Sequence, residues 1–409
     1  MDISLDLIQK AAAQIAGAVI ATPTVPSPRL SALAGADIVL KLENLQLTGS
    51  FKVRGALFKL LSLAKERRER GVIAMSAGNH AQGVAYHCQR LGIPATIVMP
   101  KGTPFNKIDR TSALGAKVVL EGETLSEAAI FAEECARSEA LTFIHPYDDP
   151  LVIAGQGTVA LEMLAAAPDL EILVVPVGGG GLISGCATVA KAINPALQVI
   201  GVQAALYPSM AAHLERGAAS VGGGSTIAEG IAVKEPGALT RELVRRCVDD
   251  MVLVSEPTLE RAVNLMLTEA KVTAEGAGAA ALAAVMTQPA RFRGKRVGLI
   301  VSGGNIDPRI LASILMRGLS RDGRIAKLRV EITDAPGMLA RVAKAIADAG
   351  GNILEIYHQR LFQDVPVTRA DLDIVLETRN MAHLDEIIGR IRATGIGVRL
   401  LGNTAADGP

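Results

Sequence analysis

Short, largely apolar runs alternate with amphipathic stretches along most of this chain. GVIAMS, IPATIVMP, AKVVLEG, LEILVVPV, ALQVIGVQA and KRVGLIVSGGN read as strands. GNHAQGVAYHCQRLG, FNKIDRTSALG, ETLSEAAIFAEECARSEA and the stretch around CATVAKAIN carry helical spacing. Strands apolar throughout and joined by helices predict parallel sheets covered on both faces. FKVRGALFKLLSLAKERRERG reads as one helix from Phe51, and MDISLDLIQKAAAQIAG as a short amphipathic helix.

The texture changes near residue 320. RGLSRDGRIAK, residues 317–327, is charged and glycine-containing and reads as a linker. KLRVEITDA then alternates as a strand, and PGMLARVAKAIADAGG is an amphipathic helix closed by glycines. NILEIYHQR and ADLDIVLETRN read as a hairpin pair, HLDEIIGRIRATG as a helix and IGVRLLG as a last strand. The order βαββαβ is ferredoxin-like. The expected organisation is a large α/β region over 1–320, with a smaller subdomain at about 50–150 inserted in it. A small α+β domain over 327–402 and a loose tail at 403–409 follow.

Composition narrows the function classes. Of 409 residues 49% are hydrophobic and 20% charged, enough for a large core. The 42 basic and 41 acidic side chains leave a net charge of +1, so no basic face announces nucleic acid. Aromatics are 3% with no tryptophan, which argues against stacking platforms for bases or sugars. No apolar run suggests a membrane partner, and the N-terminus lacks the basic start of a signal peptide. The scattered Cys88, Cys135, Cys186 and Cys247 show no metal-type pairing and read as free thiols in the cytoplasm.

Three small-residue loops close strands. PVGGGGLISG, Pro176 to Gly185, follows a strand and opens a helix, where bare backbone N–H groups can cradle a phosphate. It matches neither the P-loop nor the GxGxxG pattern. A tight turn is the plain alternative, but four glycines in a row exceed what one turn needs. SAGNHAQG and SGGNID close strands in the same way, and ligands of open α/β sheets sit beyond the carboxyl ends of strands. Lys52 stands at a helix start between Phe51 and Val53, on a helix already charged by Lys65, Arg67, Arg68 and Arg70. The positive helix end and apolar neighbours both disfavour the ammonium, as a Schiff-base lysine requires. A phosphate cradle with an activated lysine suggests pyridoxal phosphate.

GSFKVRGA, SAGNHAQG, HPYDDP, AGQGT, GGGGL, EGAGA and SGGN, in this order, resemble the serine/threonine dehydratases of the tryptophan-synthase-β-like (fold type II) pyridoxal phosphate enzymes. The final domain, through DAPGML with Gly337 at its turn, resembles an ACT domain. The resemblance implies two parallel-type α/β subdomains plus a ferredoxin-like domain. It implies β-elimination of L-threonine to 2-oxobutanoate and ammonia, and of L-serine to pyruvate. It gives Lys52 the Schiff base and the Cα proton, Phe51 the ring face and Asn79 the ring hydroxyl. The backbone of Gly178, Gly179, Gly180, Gly181 and Leu182 takes the phosphate, and Ser302 faces the ring nitrogen. Ser76, Gly78, Asn79 and His80 surround the substrate carboxylate. Serine cannot stabilise a pyridinium as a carboxylate would, which suits prompt elimination. The cofactor phosphate, by the same likeness, protonates the leaving hydroxyl.

Serine racemases share most of these motifs but carry a serine at the position of Ala77, and alanine transfers no proton. Their metal-binding carboxylate is replaced here by Gln203, so no divalent metal is expected, with room left for a monovalent cation. A serine racemase, a threo-3-hydroxyaspartate ammonia-lyase and a non-catalytic amino-acid sensor are the alternatives. The ACT resemblance implies regulation by an amino acid, isoleucine or valine, and a homodimer or homotetramer. Gly337 and Asn352 mark its expected site, where the DAPGML turn faces the AGGN helix end. Asp148 and Asp149 of HPYDDP read as residues of a surface loop.

Overall fold

The computed structural model describes residues 3–214, 222–359 and 368–401. It divides into two compact units, Met1–Ile306 and Asp307–Pro409. The tail expected at 403–409 lies outside the described residues.

The first unit opens with a helix, Leu5–Ile15, capped by the Ser4 hydroxyl, and with strands β1 (Thr24–Pro26) and β2 (Asp37–Leu42). The chain then leaves this sheet to build a second one from β3 (Val72–Met75), β4 (Ala95–Met99), β5 (Lys117–Leu120) and β6 (Thr142–Phe143). It returns for β7 (Ile172–Pro176), β8 (Gln198–Ala204), β9 (Asp250–Val254) and β10 (Arg296–Val301). The large sheet runs β1-β2-β10-β7-β8-β9 and the small one β5-β4-β3-β6. All pairs are parallel except β1 with β2. β7 is buried at every position because helices cover both faces, which accounts for the unbroken apolar reading of ILVVP.

Four helices position the loops at the strand ends. They are the Lys52 helix (Lys52–Leu61), the Asn79 helix (Asn79–Leu91), a spacer helix (Pro150–Ala166) and the glycine-loop helix (Gly181–Ile193). Their contacts are made backbone to backbone. A Cβ on Gly155 of the spacer would stand 2.5 Å from Gly55 Cα on the Lys52 helix. On the spacer's other side, a Cβ on Gly185 would meet Gly157 N at 2.6 Å and Ile153 O at 2.5 Å. AGQGT is therefore a two-sided contact surface, and its Gln156 Oε1 accepts the Gly55 N–H at 3.2 Å.

The predicted helix FKVRGALFKLLSLAKERRERG is two helices, Lys52–Leu61 and Lys65–Arg70. The break falls where apolar Leu60 and Leu63 are buried while Lys65–Arg70 has no buried residue, so one straight helix cannot serve both.

The second unit begins with the helix Pro308–Arg321. Residues 317–327, expected as a linker, are its last turn, a bend at Gly323 and the start of β11 (Ile325–Thr333). Of the charges that suggested a linker, Arg317 and Arg321 belong to a helix whose Ile314 and Gly318 are buried, and Lys327 belongs to β11. β11, the helix Met338–Asp348, β12 (Asn352–Gln359), β13 (Arg369–Glu377), the helix Met381–Ala393 and β14 (Gly397–Leu401) complete βαββαβ. The antiparallel sheet runs β12-β13-β11-β14. Ala326, Leu328, Val330 and Ile332 of β11 face a core shared with Leu372, Ile374 and Leu376 of β13. On the opposite face Arg329 and Asp373, paired in register, make a bidentate ion pair at 2.6 and 2.8 Å. No described helix is long and apolar enough to cross a membrane.

Because the spacer contacts leave no room for a methyl group, Gly155→Ala is expected to cost about 1–3 kcal/mol or more through overpacking. Urea unfolding followed by circular dichroism measures it. An unchanged midpoint would show that the helices separate freely.

Candidate functional site

The loops after β10, β7 and β3 and the segment before the Lys52 helix converge. Antiparallel backbone contacts join the last of these to the loop after β10: Phe51 N–H donates to Ser302 O at 3.2 Å, Gly304 N–H donates to Gly49 O at 2.9 Å, and Ser50 bridges Gly303. Ser302 is buried and stands at the carboxyl end of β10, beside β7 and its glycine loop. Lys52 is the first residue of its helix. Its Nζ donates to Pro146 O at 2.8 Å and stands 5.2 Å from the centroid of the Phe51 ring.

Directly behind Lys52 lies an ionic cluster. Arg54, fully buried, donates to both oxygens of buried Glu43 at 2.8 Å and to Glu162 at 2.6 and 2.9 Å. Lys41 pairs with Glu162 at 2.5 Å, and the Thr22 hydroxyl donates to Glu43. Removing one partner from such a cluster costs about 3–5 kcal/mol because the other charge is stranded. The cluster locks the second residue after Lys52 to the turn at Glu43, directly after β2, and to the spacer helix.

The glycine loop is shaped by HPYDDP. A Cβ on Gly179 would overlap the Tyr147 ring, and one on Gly181 would lie 3.0 Å from Tyr147 Cα. Gly180 has φ 97°, the left-handed region, and precedes the first helical residue. Among the described residues no acceptor faces the backbone N–H groups of Gly178, Gly179, Gly180, Gly181 or Leu182. Five unspent donors at the positive end of a 13-residue helix form a seat for an anion such as a phosphate. Asp148 and Asp149 hold structure together rather than decorate a surface loop. Asp148 accepts from Ala238 and Thr240 N–H; Asp149 caps the spacer helix and pairs with Lys59 at 2.5 Å.

Ser76, Gly78, Asn79 and His80 lie together where β3 meets the Asn79 helix, the Ser76 hydroxyl accepting Gly78 N–H at 3.1 Å. His80 Nε2 is bonded to Ile144 O at 2.9 Å, while its buried Nδ1 has no partner. Burial, then the positive charge of Lys52, pulls its pKa down to about 3, so the ring is neutral and Nε2–H is the donor. Gln203 Oε1 caps a helix by accepting Met210 and Ala211 N–H at 3.0 Å.

Residues that the sequence reading passed over complete the site. Glu275, in EGAGA, accepts Asn79 Nδ2–H at 2.8 Å, and burial lifts its pKa to about 7. Asn305, in SGGN, donates to Asn79 Oδ1 at 2.8 Å. Both sit inside recognisable motifs, which was the available signal. Pro146 O and the Tyr147 ring had none beyond HPYDDP. The regulatory pair is not brought together within the chain. Gly337 caps the start of the helix Met338–Asp348 and Asn352 follows its end, so an 11-residue helix, about 16 Å long at 1.5 Å per residue, stands between them.

Two family models match the chain: "Pyridoxal-phosphate dependent enzyme" over residues 15–303 and "ACT domain" over 321–395. An L-threonine ammonia-lyase of Thermotoga maritima is 46% identical over 98% of this chain and 100% of its own length. One of Geobacter sulfurreducens is 42% identical over 97% and 98%. Among solved structures, a threonine deaminase of T.th. aligns with TM-score 0.70 and 41% identity, over 74% of this chain and 99% of that one. Maize serine racemase aligns with TM-score 0.72 and 32% identity over 78% and 99%.

Burial holds the Lys52 amine down to about 8, with Glu275 pulling the other way. In cofactor-free protein its neutral form should grow in as pH rises through that value, below the ~10.4 of an unperturbed lysine. Competitive acetylation read by mass spectrometry tests this. A Lys52 midpoint equal to that of surface lysines would contradict it.

Proposed function

The chain belongs to the pyridoxal-phosphate dependent enzyme family and carries a C-terminal ACT domain, and we propose that it removes water and then ammonia from L-threonine to give 2-oxobutanoate. It is a carbon–nitrogen lyase and uses pyridoxal phosphate. The observation that carries the substrate is likeness to L-threonine ammonia-lyases along the whole chain, catalytic and ACT units together.

The residues present fit the cofactor: an amine of lowered pKa, a glycine seat with five free N–H donors, and a serine hydroxyl at a strand end. Pyridoxal phosphate supplies an electron sink for the bond broken at Cα. Lys52 would hold its aldehyde carbon and, once released, take the Cα proton at Nζ. Phe51 would lie against the ring, Ser302 would meet the ring nitrogen, and residues 178–182 would bind the phosphate. Asn79 would meet the ring hydroxyl. Ser76, Gly78, Asn79 and His80 present the N-terminal turn of a 13-residue helix to the substrate carboxylate. Neutral His80 adds no charge there, so the helix end and backbone donors do the binding.

L-Serine differs by one methyl, worth about 1–3 kcal/mol of discrimination, and is the second substrate. Ala77 leaves the face opposite Lys52 without a proton-transferring side chain, which favours elimination over racemisation. The ACT unit is the place for an amino-acid effector, isoleucine or valine, in a homodimer or homotetramer. Four free cysteines suit the reducing cytoplasm.

With L-threonine, the reconstituted protein should release 2-oxobutanoate and ammonia in equal amounts, and Lys52→Ala should abolish both. D-Serine from L-serine should form on the order of 10²-fold more slowly than pyruvate. Coupled assays and chiral chromatography measure these rates. Racemisation at the rate of ammonia release would overturn the assignment, and absence of turnover with any hydroxy amino acid would leave the chain a sensor.

A further inference from the structure

A run of side-chain amides leads from a backbone carbonyl into the cofactor site, and each link has a fixed direction. Thr48 O can only accept, so the Asn305 Nδ2 group points at it, at 2.7 Å. The same Nδ2 group gives its other hydrogen to Asn79 Oδ1, at 2.8 Å. Asn79 therefore turns its Nδ2 toward Glu275 Oε1, again at 2.8 Å. The Asn305 backbone N–H acts on the same carboxyl and lowers its pKa, against the larger effect of burial. Gly303 runs alongside, where a Cβ would stand 2.7 Å from Glu275 Oε1 and 3.3 Å from Asn79 Nδ2. With its oxygen turned to the Asn305 amide and one N–H committed to Glu275, Asn79 has one N–H left to donate.

We propose that Glu275 and Asn305 are positioning residues that hold Asn79 as a donor, never an acceptor, toward the ring oxygen of bound pyridoxal phosphate. This rests on the assignment of that oxygen to Asn79 given above. A partner that can only donate stabilises the ionised oxygen over the hydroxyl. The ring oxygen is thereby kept from holding a proton, which is left to the nitrogen of Lys52. The direction of the chain is set at Thr48 O, a group that no side-chain substitution can reverse.

The test uses holoenzyme carrying Glu275→Leu or Asn305→Asp. Leucine at 275 offers no acceptor to the Asn79 N–H, so that end of the amide is no longer held. Aspartate at 305 cannot donate to Thr48 O or to Asn79. One change removes a carboxyl group and the other adds one, yet both release the Asn79 amide from its fixed orientation. The readouts are the ratio of the ionised-ring to un-ionised-ring absorbance bands, the cofactor dissociation constant and the thermal melt. Both variants are expected to lower the ratio and weaken cofactor binding on the order of tenfold, the loss of a charge-assisted hydrogen bond, while remaining folded. Shifts of opposite sign would mean that local charge, not polarity, governs the ring oxygen, and unchanged spectra would remove the positioning role; either result overturns the inference. Borohydride reduction of wild-type holoenzyme separates this from the underlying reading, which falls if no cofactor is trapped on Lys52.

Discussion

The site depends on the absence of side chains between three helices. Gly55 against Gly155, and Gly157 against Gly185, bring the Lys52 helix and the glycine-loop helix to opposite sides of one spacer at backbone contact. Side chains would hold these axes apart by distances that vary with rotamer. Backbone contact leaves a single separation. The span between the start of the Lys52 helix and the anion seat is thus set by direct backbone packing rather than by rotamers, in an interior of low compressibility. Tyr147 and Pro146 bridge the same span, one against the glycine loop and the other on the lysine.

Around that frame, polar groups are placed where they can adopt only one arrangement. Lys52 meets a carbonyl, His80 presents one tautomer, and Asn79 is held between a donor and a carboxylate. His80 is buried and Lys52 and Asn79 are half-buried, so leaving a partner unmatched would cost more than at a fully exposed surface. The result is a site whose donors and acceptors precede any ligand, the condition under which electrostatic stabilisation needs no reorganisation.

Much of this was legible in the sequence because the chemistry uses residue types that stand out. A lysine in an apolar turn, four consecutive glycines and a serine closing a strand each break a local pattern. Strands β3, β4, β5, β7, β8 and β10 and the βαββαβ order also followed from apolar periodicity; β2 was passed over although five of its six residues are buried, and three others were too short or half-exposed to leave a pattern. β1 has three residues, β6 two, and β9 is exposed at two of five. Pro146 was invisible because its function is its carbonyl, which every residue owns. Glu275 and Asn305 were visible as letters but not as a pair, since 30 residues and a strand separate them and only the fold closes the gap. The separation of Gly337 from Asn352 has the same origin: a motif fixes a residue's neighbours in the chain, and the intervening helix fixes the distance.

The cluster of Arg54, Glu43, Glu162 and Lys41 has a consequence in temperature. Hydration of charged groups becomes less favourable on heating, so the cost of keeping these ions from water shrinks as the solvent warms. Apolar burial offers no such compensation, since its gain per unit area levels off. The region that anchors the lysine should therefore soften later than the helices around it when the protein is heated, keeping the reactive end of the molecule ordered closest to the melting point.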